Sequence, residues 1–419
     1  MNNCTAFVGL LALAAACGAE TASAETTPPP SPLRLAEVVQ LALANNPGFA
    51  AARFEAEAAR AKADKVGALP NPMLSFGVMD RAEGGDWPDS EEKRLMLEQK
   101  FPWFGKRGLQ RDVATREAEG ASYTVDAARL GLKRRVQETF FELHAVRQSI
   151  AITRDEEKVL LDIAEIARSL YSTGSRSQGD VFGAESETTL IKQKAIELEA
   201  REKTLVAELN VLLDRKADTP VGALAPPPEV RVPDDLSARL AGASDARPEV
   251  LYARTMADRY GIEQKLMEKE SMPDYQLGVE YRSLGMDEDM VMLTVGIDLP
   301  IRRGSIRAGI RESVLMRESS LAAAQAAARA SELEIQNAAI ALAAAQRTLR
   351  LVQSELIPQA QSRFKAGEAA YRNGKADFQE LLESQRLLLA VRIDEAMTRG
   401  EVGKQAARLE QAAGIDLIK

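Results

Sequence analysis

Two hydrophobic patterns divide this chain: short stretches in which every second residue is apolar, and very long ones in which apolar residues return at helical spacing. The short stretches come in two pairs, 72–80 with 94–101 and 274–282 with 289–299. In the first, Leu74, Phe76 and Val78 alternate with Ser75 and Gly77; in the second, Leu95 and Leu97 alternate with Met96 and Glu98. Tyr275, Leu277, Val279 and Tyr281 oppose Gln276, Gly278 and Glu280 in the third. The fourth sets Val291, Leu293, Val295, Ile297 and Leu299 against Met292, Thr294, Gly296 and Asp298. A period of two predicts strands with one apolar face and one small or polar face. Such faces suit either a half-buried antiparallel sheet or a membrane strand with lipid outside and water inside, which takes about 9–11 residues.

The long pattern covers Gly105–Leu170, 66 residues without a proline, with Val125, Leu132, Val136, Phe140, Leu143 and Ile150 on the apolar stripe. Ser305–Ala370 is its counterpart, interrupted by Pro358, where a missing backbone donor predicts a kink. Each helix spans about 100 Å, more than a globular domain needs. Return helices are expected over Ser177–Arg215 and Lys375–Ala413, and helices ahead of the strands over Leu35–Ala68 and Asp245–Ser271. Two shorter helices placed end to end match one long helix, which predicts an antiparallel bundle of uniform length.

Both patterns occur twice because the chain is internally duplicated. At a spacing of 201 residues Pro47 matches Pro248, Arg53 matches Arg254, Pro72 matches Pro273, and Gly77-Val78 matches Gly278-Val279. At 200 residues Tyr171 and Gly174 match Tyr371 and Gly374, and Asp180-Val181-Phe182 answers Glu380-Leu381-Leu382. The expected division is a leader over 1–24, a short linker over 25–34, repeat one over 35–215, a Pro-rich linker over 216–244 and repeat two over 245–419. The four strands of one chain cannot close a barrel, and a lipid-exposed sheet edge is not tolerated. Closed barrels need at least eight strands, so the membrane reading requires several copies; three would supply twelve strands.

Composition narrows the class. The chain is 45% hydrophobic, 28% charged and 5% aromatic, which favours long helices over a compact enzyme core. Its net charge of −8 gives no electrostatic reason to bind nucleic acid. Ala6–Ala19 reads as the apolar core of a signal peptide, with Ala22-Ser23-Ala24 as a cleavage site. Cleavage before Cys17, with lipidation there, is the alternative. Cys4 and Cys17, the 2 cysteines, both lie in this leader, so no disulfide framework or thiolate metal site is expected. No stretch reaches 18 consecutive apolar residues, which argues against a helical inner-membrane protein. No His/Cys cluster, Met-rich tract or nucleophile–base pair points to catalysis, a metal or a cofactor. The single histidine, His144, falls mid-helix, where a structural role is expected.

Three features together resemble the TolC-like outer-membrane efflux family over essentially the whole mature chain. They are the duplication, the run Leu35-Ala36-Glu37 through Leu41-Ala42-Leu43-Ala44-Asn45-Asn46-Pro47, and the turn Tyr371 through Gly374 to Glu380 and Glu383. Gln99 to Arg107, with Pro102, Trp103, Phe104, Gly105 and Lys106, looks like the strand-to-helix junction of its heavy-metal branch. The resemblance implies an α+β membrane protein, a homotrimer with a twelve-stranded barrel continued into a helical periplasmic tunnel. It implies a passive exit duct in the outer membrane lipid, docked to a periplasmic adaptor and an inner-membrane efflux pump, the RND type being one such pump.

Carried onto these residues, the resemblance places Gly174 and Gly374 at the hairpin tips, with Tyr171, Tyr371 and Arg176 beside them for adaptor contact. Glu380 and Glu383 fall where the family rings its closed periplasmic aperture with acids. Six carboxylates around a narrow axis would favour cations. The alternative for these two is a solvated helix face. Asp180 keeps the first acid in repeat one, while Gly183 replaces the second. Arg176, near Asp180, offers a closing ion pair or stays solvated. Phe101, Trp103 and Phe104 suit either packing at the strand-to-helix joint or an interfacial aromatic girdle. The loop 81–93, with five acids and two bases, would be extracellular. Two rival readings remain: a periplasmic adaptor, which would carry one hairpin rather than two repeats with strand pairs, and a coiled-coil scaffold, which leaves strands and leader unexplained.

Overall fold

A computed structural model describes residues 32–79, 92–283, 289–373 and 375–418. The leader with Cys17, most of the acidic loop and Gly374 lie outside the described residues.

Pro47 divides the first helical run, which the sequence predicts as one helix. Asn46, forced out of helical geometry by the proline after it, is extended at φ −63° and ψ 119°. Helix α1 (Leu35–Asn45) stops there, and α2 (Pro47–Val66) begins with the Asn46 side chain accepting the Phe49 amide at 3.0 Å. A polar N-cap followed by Pro at the first helical position is a strong start signal.

Strands β1 (Met73–Met79) and β2 (Glu92–Phe101) follow, and Gly105, with a left-handed φ of 87°, turns the chain into α3 (Lys106–Ser172). This helix has 67 residues, about 100 Å by its rise. A turn through Gly174 (φ 72°) leads to α4 (Gln178–Leu212). The linker carries α5 (Leu236–Leu240) and a 3-10 turn (Ala243–Ala246). Repeat two then gives α6 (Pro248–Lys269), β3 (Asp274–Ser283), β4 (Met290–Asp298), α7 (Arg303–Leu351), α8 (Ile357–Arg372) and α9 (Phe378–Ala413).

Between α7 and α8 the helix widens into a π turn over Val352–Leu356. Here Pro358 has no N–H and its ring would strike the carbonyl of Ser354 in a regular helix. The wider turn relieves that conflict, so the expected kink takes the form of a π-bulge.

Against α3, α2 packs along the half nearer the sheet and α4 along the half nearer the tip, as the Lys62–Glu117 and Arg168–Glu185 pairs show. Leu132, Val136, Phe140 and Leu143 of α3 are fully enclosed with Val38 of α1 and Leu205 and Leu209 of α4. In repeat two α7 and α9 enclose Leu342, Ala406 and Leu409 with Leu417 from the C-terminal segment. At this level the linker joins the bundle edge to edge, Leu33 with Leu224 and Val230 with Ile418. Buried Glu410 accepts the Leu417 and Ile418 amides at 2.6 and 2.8 Å and the Gln137 amide at 2.8 Å.

The strands form one antiparallel sheet in the order β1-β2-β3-β4, so the two repeats meet at β2–β3. Its register aligns the alternations across all four strands. Phe76, Leu95, Tyr281 and Val291 form one row, and Leu74, Leu97, Val279 and Leu293 the next. The opposite face carries Gly77, Arg94, Arg282 and Met290 in one row, and Met73, Glu98, Gly278 and Thr294 in another.

Candidate functional site

The tips of the two helical hairpins meet through side chains 191 residues apart in sequence. The Tyr371 hydroxyl, at the end of α8, donates to Asp180 at the start of α4 over 3.2 Å, and Ser177 donates to the same carboxylate at 2.8 Å. The Arg176 guanidinium lies over the Tyr371 ring, 5.0 Å from its centroid, and donates to the Ala376 carbonyl. Arg176 therefore braces the tyrosine that holds Asp180, in place of a direct ion pair with that acid. Burial, reinforced by the Asp180 charge, pushes the Tyr371 phenol up to about 12. The phenol therefore stays a proton donor at any physiological pH.

Tyr371 is enclosed by Phe378, whose ring centroid lies 5.6 Å away. Phe378 in turn occupies the space above Gly183, where a Cβ would stand 2.8 Å from its ring. That contact supplies a steric reason for the glycine that replaces the second acid of repeat one. Tyr171, the counterpart of Tyr371, is exposed. Glu380 is exposed, its backbone amide capped by the Asp377 carboxylate at 2.8 Å. Glu383 is also exposed, with Arg363 of α8 at 3.7 Å.

Besides Glu98 and Glu410, two buried acids escaped the sequence analysis. Glu187 of α4 is held by Arg386 of α9 through a two-pronged pair, one arm at 3.0 Å. Glu156 of α3 is 2% exposed and lies 4.0 Å from the Arg392 guanidinium. Desolvation raises its carboxyl to about 7 against the partial relief from Arg392. Neither stands out in a chain where 28% of residues are charged. Half-buried His144 is depressed by desolvation, with Arg399 and Arg147 adding to the effect, as befits a packing histidine.

At the other end, no helix among the described residues packs over the apolar face of the sheet: Leu293 is 71% exposed and Val291 74%. Trp103 stacks on Tyr275 at 5.5 Å and meets Phe104 edge-on. Below them Lys106, almost wholly buried, binds Asp274 at 2.8 Å and Glu270 at 3.4 Å, pinning the start of α3 to repeat two. Among the described residues no helix is long and apolar enough to cross a membrane, and no group of His, Cys, Asp and Glu is arranged to hold a metal ion.

A family model described as outer membrane efflux protein matches this chain twice, over residues 38–213 and 243–415. The chain belongs to that family. Each match contains one strand pair and one helical hairpin. Among relatives of this outer membrane efflux protein, the cobalt-zinc-cadmium resistance protein CzcC of Cupriavidus metallidurans is 23% identical, aligning 91% of this chain with 90% of its own. The pyoverdine export outer membrane protein OpmQ of Pseudomonas putida is 22% identical over 91% of this chain and 85% of its length. The outer-membrane channel OprN shares the fold at a TM-score of 0.78 and 17% identity, covering 91% of this chain and 89% of that one. The protein is an outer-membrane exit duct of an efflux system, extending into the periplasm.

Proposed function

We propose that three copies of this chain close a twelve-stranded barrel whose bore continues through the helices as a tunnel. The observation that carries this is a sheet whose apolar face is covered by no helix among the described residues and whose edge strands are β1 and β4. A lipid-exposed edge is not viable, and joining β4 of one copy to β1 of the next removes all edges at once. The apolar rows then face lipid and the rows through Thr294 and Gly278 face water. The leader is removed after Ala24, or cut before Cys17 and lipidated. The two repeats, 35–215 and 245–419, act as quasi-equivalent staves.

At the periplasmic end the hairpin tips form the gate. Asp180, Tyr371 and Arg176 hold it shut within one chain, and Glu380 and Glu383 crowd the aperture. The tips around Gly174, Gly374 and Tyr171 receive a periplasmic adaptor, which couples the duct to an inner-membrane pump. The cargo is chosen by that pump. The names of CzcC and OpmQ point to different cargoes, metal ions for one and pyoverdine for the other. The mature chain in mild detergent should have the mass of a trimer that dissociates on heating; a monomer with full β content in lipid would overturn the assembly.

A further inference from the structure

Methionine is divided unequally between the two faces of the sheet. The face through Leu74, Leu97, Val279 and Leu293 draws its apolar residues from leucine, valine, isoleucine, phenylalanine and tyrosine, and holds no methionine. On the opposite face Met73, Met96, Met290 and Met292 stand among glycine, serine, threonine and charged residues, and no leucine, valine, isoleucine or aromatic residue joins them. Apolarity alone would be served as well by leucine or valine. What methionine adds is a thioether sulfur, a neutral and polarizable ligand for soft cations.

The sheet gathers these residues from distant parts of the chain, so no Met-rich tract announces them. Met96 and Met292 flank Glu280 in one cross-strand row. Met73 pairs with Glu98 and is therefore the diagonal neighbour of Met96, a spacing that long side chains can bridge. The Met96 methyl leans over Gly278, where a Cβ would stand 3.1 Å from it. Glycine thus leaves free the space through which this thioether reaches toward β4.

Glu98 supplies charge beside the sulfurs. It lies between Met73 of β1 and Gly278 of β3 in its row, is 9% exposed, and has no hydrogen-bond or ion-pair partner among the described residues. Glu280, by contrast, is held by Arg282 at 2.9 Å, with Arg94 at 4.0 Å. A cation bound by neutral sulfurs keeps its full charge, and an enclosed carboxylate needs a partner. Each answers the other.

We propose that Met73, Met96 and Met292, with Glu98 as counter-charge, form a soft-cation site on the wall of the bore, taking monovalent copper or silver as cargo in transit. This deepens the duct reading and rests on the rows through Thr294 and Gly278 facing water. All its donors belong to one chain, so every copy carries the same site. Passage requires a site attractive enough to enter and weak enough to leave, and a few thioethers without a thiolate meet both conditions.

Silver nitrate is the probe, titrated calorimetrically in chloride-free buffer into the full assembly in mild detergent, with hard manganese(II) as competitor. The parent should bind silver, and manganese(II) should not displace it. Met96→Leu with Met292→Leu conserves volume and should keep the parent's mass and melting temperature. It should lower silver affinity by at least about 100-fold, and Glu98→Gln by about tenfold. Met316→Leu with Met397→Leu, on exposed helix positions, should bind like the parent. In planar bilayers silver should reduce the parent's conductance and spare the Met96→Leu, Met292→Leu variant. No silver binding by the parent, parent-like binding by that variant, or displacement by manganese(II) overturns the thioether site. Silver that binds through the methionines yet leaves the parent's conductance unchanged overturns instead the reading that this face lines the bore.

Discussion

Gly403 of α9 lies directly beneath Phe141 of α3: a Cβ at that position would stand 2.2 Å from the ring. Glycine allows the two helices this approach, and Gly400, one turn earlier, likewise faces Ala145 at 2.8 Å. Gly403→Ala should destabilise the bundle by roughly 1–3 kcal/mol, the usual cost of overpacking. Thermal melting of the assembled protein reads this directly. Adding Phe141→Leu should recover part of the loss, whereas an unchanged melting temperature for Gly403→Ala would place the two helices farther apart.

Tyr371→Phe removes one hydroxyl and leaves the ring in its pocket against Phe378. The lost hydrogen bond to a charged acceptor is worth about 1.5–3 kcal/mol, and the gate should leak. Single-channel conductance at low voltage should rise, and cells should become more permeable to bulky antibiotics. Asp180→Asn, which keeps an acceptor for the phenol, should leak less. Equal closure in all three proteins would show that this contact does not hold the tips.

The two faces of the sheet should differ sharply in what they tolerate. Arginine at Leu293 meets lipid at a cost of about 2–4 kcal/mol in each strand that carries it, and should block assembly in the outer membrane. Arginine at its neighbour Thr294 points into the bore and should assemble with altered ion selectivity. Western blots of outer-membrane fractions decide the first effect and bilayer recordings the second. Similar yields from both variants would mean that the apolar rows do not face lipid.

Glu156 imposes a pH dependence on the helical tube. Its folded carboxyl titrates near 7 against an ordinary 4.5, so between those values the folded state holds a proton that the unfolded state has released. Stability therefore falls as pH rises from about 4.5 to 7, and the loss is complete above that window. Glu156→Gln should flatten this slope, melting higher than the parent at pH 8 and close to it at pH 5. A gap that does not change with pH would show that Glu156 is charged in the fold throughout.

The elements whose cause is local were legible in the sequence. Alternation such as Val291 to Ile297 specifies a strand and its faces, and proline-free runs of helix formers specify α3 and α7. Local competition was harder to read. Asn46 before Pro47 breaks a helix that periodicity would continue, and the strain of Pro358 is absorbed by the turn preceding it. The tip contacts were the least legible. Tyr371 and Asp180 are ordinary polar residues until two hairpins bring them within 3.2 Å, and nothing near Arg176 announces that it will lie over an aromatic ring. Buried Glu156 and Glu187 were hidden for the same reason, since their enclosure comes from distant helices.

The β2–β3 pairing, where one chain's repeats join, also constrains how this sequence can change length. If β4 of each copy pairs with β1 of the next, an alteration to either edge strand is made at every seam of the ring. Deleting one residue from β4 would shift the pairing by about 3.4 Å at each seam, and would set apolar positions beside polar ones on the same side of the wall. A closed wall has no free end at which to discard the mismatch. Length changes in these strands are thus subject to a parity rule: residues can enter or leave the wall in twos, while odd changes must be absorbed in the loops.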